Sequence, residues 1–161
     1  MSSDHTPAVP ESSPWLPPRW FIRTAWKIHR NLYRITGGRF GLRQPGPDKY
    51  GLARLTVTGR RTGQDRSVMI GYFRDGDDFV TMAMNGWGEP EPAWWLNLLA
   101  DERASLTLPD VRVDVIGRAA QADERDRLWD RWRHYDKGLD GYATRRPSET
   151  AVVVLSPVKG A

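Results

Sequence analysis

Between residues 19 and 36 apolar and basic positions separate into two stripes: Phe21, Ala25, Ile28, Leu32 and Ile35 recur at helical spacing, and Arg19, Arg23, Lys27, Arg30 and Arg34 form the other. At about 100° per residue the stripes fall on nearly opposite sides of a helix. The pattern predicts a basic amphipathic helix over residues 19–38, ended by Gly37-Gly38, where a left-handed cap favours glycine. Past residue 50 the apolar period shortens. Residues 52–58, 67–73 and 79–84 read as strands, joined by a Gly/Arg turn and by Asp75-Gly76-Asp77-Asp78, which predicts an antiparallel meander. Residues 92–100 predict a short helix with Pro92 in its first turn, where a missing N–H is tolerated. Strands follow at 104–108 and 111–118, then a charged helix at 123–135 with Leu128, Trp129 and Trp132 on one side, and a β-branched strand at 150–155. The order predicts an α+β fold, a six-stranded antiparallel barrel with peripheral helices.

Composition narrows the organisation. The 161 residues suit one domain, read as a flexible Ser/Pro/Thr-rich tail at 1–18, the basic helix at 19–38 and a barrel domain at 39–161. With no cysteine the chain has no disulfide, thiolate metal site or thiol nucleophile, and His5, His29 and His134 have no metal-ligand spacing. The net charge of +4 points to an anionic partner: a phosphorylated cofactor, an anionic membrane surface or nucleic acid. No nucleic-acid-binding pattern occurs, so nucleic acid is not the expected partner. With no run of eighteen apolar residues and no basic-then-apolar leader, the expected location is cytoplasmic. Trp20 and Trp26 beside the basic stripe suit peripheral contact of residues 19–36 with the inner face of the membrane; the alternative is packing on the barrel through Phe21, Ile28 and Leu32.

Candidate chemistry concentrates in Thr56-Val57-Thr58-Gly59-Arg60-Arg61-Thr62-Gly63-Gln64-Asp65-Arg66, a turn with three arginines. Gly59 and Gly63 allow a tight turn, and backbone N–H groups, the Thr58 and Thr62 hydroxyls and the guanidinium forks all suit phosphate oxygens. An ordinary basic hairpin tip has the same composition, and the G-x-x-x-x-G-K-[ST] phosphate loop is not matched.

Together with Ala83-Met84-Asn85-Gly86-Trp87-Gly88 and Pro92-Ala93-Trp94-Trp95-Leu96-Asn97-Leu98, in that order and spacing, this turn resembles the deazaflavin-dependent nitroreductase family. Members carry a T-G-R-[KR]-[ST]-G-x-x-R turn, a Gly-rich loop and a P-x-W-[YW]-x-N-L helix. The resemblance runs from about residue 36 to 155 and implies a split β-barrel of the FMN-binding type, coenzyme F420 as cofactor, and hydride transfer to an electron-poor small-molecule acceptor: an enone, quinone or nitro compound. It implies that Thr58, Gly59, Arg60, Arg61, Thr62, Gly63 and Arg66 hold the phosphate and acidic tail, that Ser67, Val68 and Met69 line the next strand, and that Ala83, Met84, Asn85, Gly86 and Trp87 approach the ring. Trp94, Trp95 and Asn97 complete the pocket, and the assembly is a monomer or homodimer. The bland roles for these last three are core packing for the indoles and loop bracing for Asn97. The alternative is FMN in the same barrel, or a non-catalytic cofactor- or anion-binding protein with membrane-surface association. Met69 and Ile70 stand where many relatives have proline and leucine, and Asn85 where some have lysine. Of the Tyr-rich segment that serves substrate binding in nitroreductases, this chain keeps Tyr135 and Tyr142, the candidate catalytic residues.

Overall fold

The computed structural model describes residues 41–84 and 90–160. The tail and helix expected over residues 1–38 lie outside the described residues. Strand β1 (Gly51–Thr58) shows how the pattern becomes a barrel: Ala53, Leu55 and Val57 are buried, while Leu52, Arg54, Thr56 and Thr58 are half-buried on the other face. Period-two alternation turns one face inward. Beyond it come β2 (Asp65–Asp75), β3 (Asp78–Met82), β4 (Arg103–Thr107), β5 (Arg112–Ala119) and β6 (Val152–Pro157). They close in the order β1-β2-β3-β6-β5-β4, every paired neighbour antiparallel, with β1 against β4 completing the ring. The expected barrel and its meander are both present.

Two apolar clusters hold the fold. The interior one gathers Leu55, Val57, Ile70, Tyr72, Phe79, Leu106, Val115, Val153 and Leu155. The outer one lies beneath helix α2 (Ala122–Tyr135), where Leu128, Trp129 and Trp132 cover Phe73, Val80, Met82, Val152 and Val154. β6 therefore buries both faces, Val153 and Leu155 inward, Val152 and Val154 outward, which is why it reads as an unbroken β-branched run. Each such side chain contributes about 1.5–3 kcal/mol by leaving water.

Helix α1 (Ala93–Ala100) docks on the barrel through Trp94, Trp95 and Leu98. It comes close because β5 has Gly117 opposite: a Cβ there would lie 2.5 Å from Leu98 Cδ2. After α2 the chain forms a short helix α3 (Leu139–Ala143), which no periodic signal announces, and Leu139 anchors it in the outer cluster.

Candidate functional site

The arginine turn is the tip of the β1–β2 hairpin, in register from Gly51↔Tyr72 to Thr58↔Asp65. Gly59 N–H donates to Gln64 O at 2.8 Å, Gly63 N–H to Gly59 O at 2.7 Å and Thr62 N–H to the same oxygen at 3.3 Å. Gln64 N–H reaches Thr62 Oγ1 at 3.4 Å. Gly63 sits at φ +68°, and a Cβ on Gly59 would stand 2.9 Å from Gln64 O, so glycine is required at both positions. The turn's N–H groups are largely used in closing the turn, so the donors it leaves open are mainly side chains.

Arg60 is the best-held of the three arginines. Its backbone N–H and its Nη1 both donate to Asn97 Oδ1, at 3.2 and 2.9 Å, and Asn97 is buried on α1. Arg61 and Arg66 are exposed and have no carboxylate partner among the described residues. Along β2 the alternation divides the expected lining. Ser67 faces outward and pairs its hydroxyl with Thr56 Oγ1 at 2.8 Å, Met69 lies on the same face opposite Arg54, and Val68 packs against the barrel interior.

Ala83 is buried, donates its N–H to Ala151 O and accepts Arg146 Nη1 at its own carbonyl at 3.1 Å, while Met84 is exposed. Asn85, Gly86 and Trp87 lie outside the described residues. The Phe73↔Val80 register runs β3 back along β2, and the chain leaves the sheet at Ala83 before reaching the arginine-turn end. Arg146, which sequence reasoning missed, is the residue that organises this exit. Its side chain is fully buried and also reaches Thr150 Oγ1 at 3.0 Å and Glu91 Oε1 at 2.7 Å. Two residues on either side of the undescribed segment 85–89, the chain is thus held by one guanidinium. Nothing in the polar stretch 144–150 distinguishes this arginine from its neighbour Arg145.

Trp94 and Trp95 are 8% and 6% exposed, edge to face with ring centroids 6.2 Å apart, and pack in the interior cluster. Tyr135 and Tyr142 flank the outer cluster instead. Tyr135 stacks on Phe73 at 5.9 Å, and Phe73 is seven residues along β2 from Arg66, roughly 23 Å at about 3.3 Å per residue. Tyr142 lies over Gly138, four residues before Arg146. The structure therefore joins Asn97 to the turn, sets Ala83 and Arg146 together where β3 ends, and leaves Tyr135 far along β2 from the turn. Tyr72, buried inside the barrel, donates to Gln44 Oε1 at 3.1 Å, and burial raises its phenol pKa. Among the described residues no group of His, Cys, Asp or Glu is placed to hold a metal ion, and no helix is long and apolar enough to cross a membrane.

A closed barrel of this strand order with peripheral helices is an FMN-binding-type split barrel. The donor set at its rim, three arginines against the single carboxylate of Asp65, fits a cofactor bearing several anionic oxygens. Residues 25–157 match the F420H(2)-dependent quinone reductase family, and the chain belongs to it. It is 32% identical over 133 residues to the F420H(2)-dependent quinone reductase Rv1261c of Mycobacterium tuberculosis, covering 81% of this chain and 88% of that one. Among solved structures, an F420-H2 dependent reductase (FDR-A) superposes with a TM-score of 0.60 at 21% identity, over 65% of this chain and 93% of that chain. Another, described as a domain-swapped dimer, gives 0.63 at 20% identity over 83% and 99%. These two likenesses speak for the fold. The family membership makes the chain an oxidoreductase with F420 as its cofactor.

Proposed function

We propose that the chain reduces a quinone-class acceptor with reduced F420 whose anionic tail is held by the arginine turn. The observation that carries this reading is the turn itself, a rigid hairpin tip with Arg61 and Arg66 exposed and lacking carboxylate partners among the described residues. In this reading Arg61, Arg66 and the Thr58 and Thr62 hydroxyls hold the phosphate and acidic tail, with Gly59 and Gly63 shaping the turn and Arg60 framing it. Ser67 and Met69 line the outward face, Val68 offers only backbone, and Ala83 and Met84 lead into the Asn85-Gly86-Trp87 segment beside the ring. Trp94 and Trp95 act from behind, as packing that fixes α1 and Asn97. Bound F420 supplies the hydride; the chain's residues orient the partners and exclude water. For the proton that follows, Tyr135 and Tyr142 are the candidate donors. Tyr135→Phe and Tyr142→Phe variants should lower kcat and keep F420 affinity, and full turnover in both would remove the role.

The test is a titration with F420 and, separately, FMN, read by tryptophan fluorescence, followed by oxidation of reduced F420 with a simple naphthoquinone, an enone and a nitroarene. Tight F420 binding and naphthoquinone turnover are expected. Binding of FMN alone would overturn the cofactor placement, and preference for the nitroarene would overturn the acceptor class. Sedimentation equilibrium decides between monomer and homodimer, for which the domain-swapped relative is the motive. Contact of residues 19–36 with an anionic membrane rests on their basic stripe. Flotation on anionic vesicles that is unchanged by removing residues 1–51 would end that idea.

A further inference from the structure

The three arginines of the turn are not equivalent. Asn97 Oδ1 receives both the backbone N–H and the Nη1 of Arg60, 37 residues away in sequence. Asn97 is only 6% exposed and rides on a helix whose Trp94, Trp95 and Leu98 are locked into the barrel interior. A buried amide oxygen with two donors fixes the turn's backbone and one guanidinium together, and losing it would leave polar groups unpaired. A carboxylate in its place would do the same mechanical work and cancel a charge. A neutral amide leaves the whole positive charge of the turn for a ligand.

We infer that Asn97 is a positioning residue that confers selectivity for the polyanionic tail of the cofactor, acting through Arg60 and contacting no ligand itself. The inference rests on the reading that the arginine turn holds the phosphate and acidic tail. Asn97 sets the geometry of Arg60 without neutralising it, and the turn so fixed presents Arg61 and Arg66 as the cations that meet the anion. Its influence is confined to the charged portion of the ligand and leaves the ring's own binding energy unchanged.

Fluorescence titration with two probes tests this: intact F420, and the deazaflavin headgroup lacking the phosphate and glutamates. Asn97→Ala should weaken F420 about tenfold and change headgroup affinity by less than about twofold. Asn97→Asp restores an acceptor for both Arg60 donors, so it should melt near the wild type and still weaken F420 comparably. Arg60→Ala combined with Asn97→Ala should lose no more than the worse single variant, as expected for residues acting as one unit. The proposal is overturned if Asn97→Ala weakens both probes alike or weakens neither while lowering Tm, or if Asn97→Asp binds F420 as the wild type does. If the Arg61→Ala, Arg66→Ala double variant binds F420 normally, the reading of the turn itself has failed. That result is separate from any obtained with Asn97.

Discussion

The arginines around α2 and those of the hairpin tip have opposite fates. Around α2, Arg118 meets Glu124 at 2.7 Å, Arg127 and Arg131 share Asp75 at 2.8 and 2.7 Å, Arg133 meets Asp140 at 2.8 Å and Arg125 meets Glu149 at 3.0 Å. Hydrogen bonds from these arginines hold Asp75, Glu124 and Asp140 below the usual carboxylate range. At the hairpin tip Arg60 rests on a neutral amide, and Arg61 and Arg66 have no carboxylate among the described residues. An arginine whose charge is matched within the fold has little left for a ligand; one held by a neutral acceptor keeps its field. The hairpin tip therefore keeps positive charge that the fold does not neutralise and that an anionic cofactor could use.

The comparison is broken most forcefully at Arg146, the buried extreme of the paired class. Arg146→Ala leaves Glu91 and the Ala83 carbonyl without their donor; with Arg146 buried and Glu91 half-buried, the cost should lie near the lower end of the about 3–5 kcal/mol of a buried pair. At about 2–4 °C per kcal/mol for a chain of this size, Tm should fall by on the order of 10 °C. Arg146→Lys should fall between, because an ammonium cannot span the same fork of acceptors. A Tm within about 2 °C of the wild type for Arg146→Ala, on the same scale, would show that the clamp does not hold the fold. Arg61→Ala with Arg66→Ala should behave in the opposite way: Tm within about a degree, F420 affinity down roughly 10–100-fold, and a shallower salt dependence of what remains. Equal loss of stability in that double variant would erase the distinction between the two classes.

The distinction is only partly legible in the sequence. Strand alternation, turn residues and the β-branched run of β6 carry the barrel, because burial of one or both faces writes itself into periodicity. The turn's glycines and arginines are equally plain, and the bracing role weighed for Asn97 is visible in its bonds to Arg60. Arg146 and Glu91 were not legible: they lie 55 residues apart, in loops without a period, and meet only because β3 and β6 are neighbours. For the same reason α3 has no signature in the sequence. Its five residues are too few for a helical stripe, and Leu139 marks it only once the outer cluster exists. The family resemblance groups Val68 with Ser67 and Met69, whereas the strand turns Val68 toward the interior and its two neighbours outward.

The smallest effect expected is at Asp75, and its sign with pH sharpens the comparison. Asp75 is held below its ordinary pKa first by the hydrogen bond from Arg127, with desolvation opposing and the charges of Arg127 and Arg131 assisting. Its carboxylate ties α2 to the β2–β3 turn through both guanidiniums, while Arg131 also donates to Arg74 O. Above the unfolded value, about 3.9 for an aspartate, the group is charged in both states and the stabilisation is complete. As pH falls below that value the unfolded chain takes up its proton first, so stability declines, and the contribution is gone once pH passes below the folded value. Both arginines are about half exposed, so the pair network is worth only about 1 kcal/mol. Asp75→Asn should therefore melt a few degrees lower at neutral pH, with the gap to the wild type closing as the medium is acidified into the range where Asp75 protonates. Glu124 and Asp140 follow the same sign, so the variant should keep a reduced acid limb. A gap that stays constant through that range would mean that Asp75 contributes through shape and not through charge, and that pairing is not what separates the α2 arginines from those of the turn.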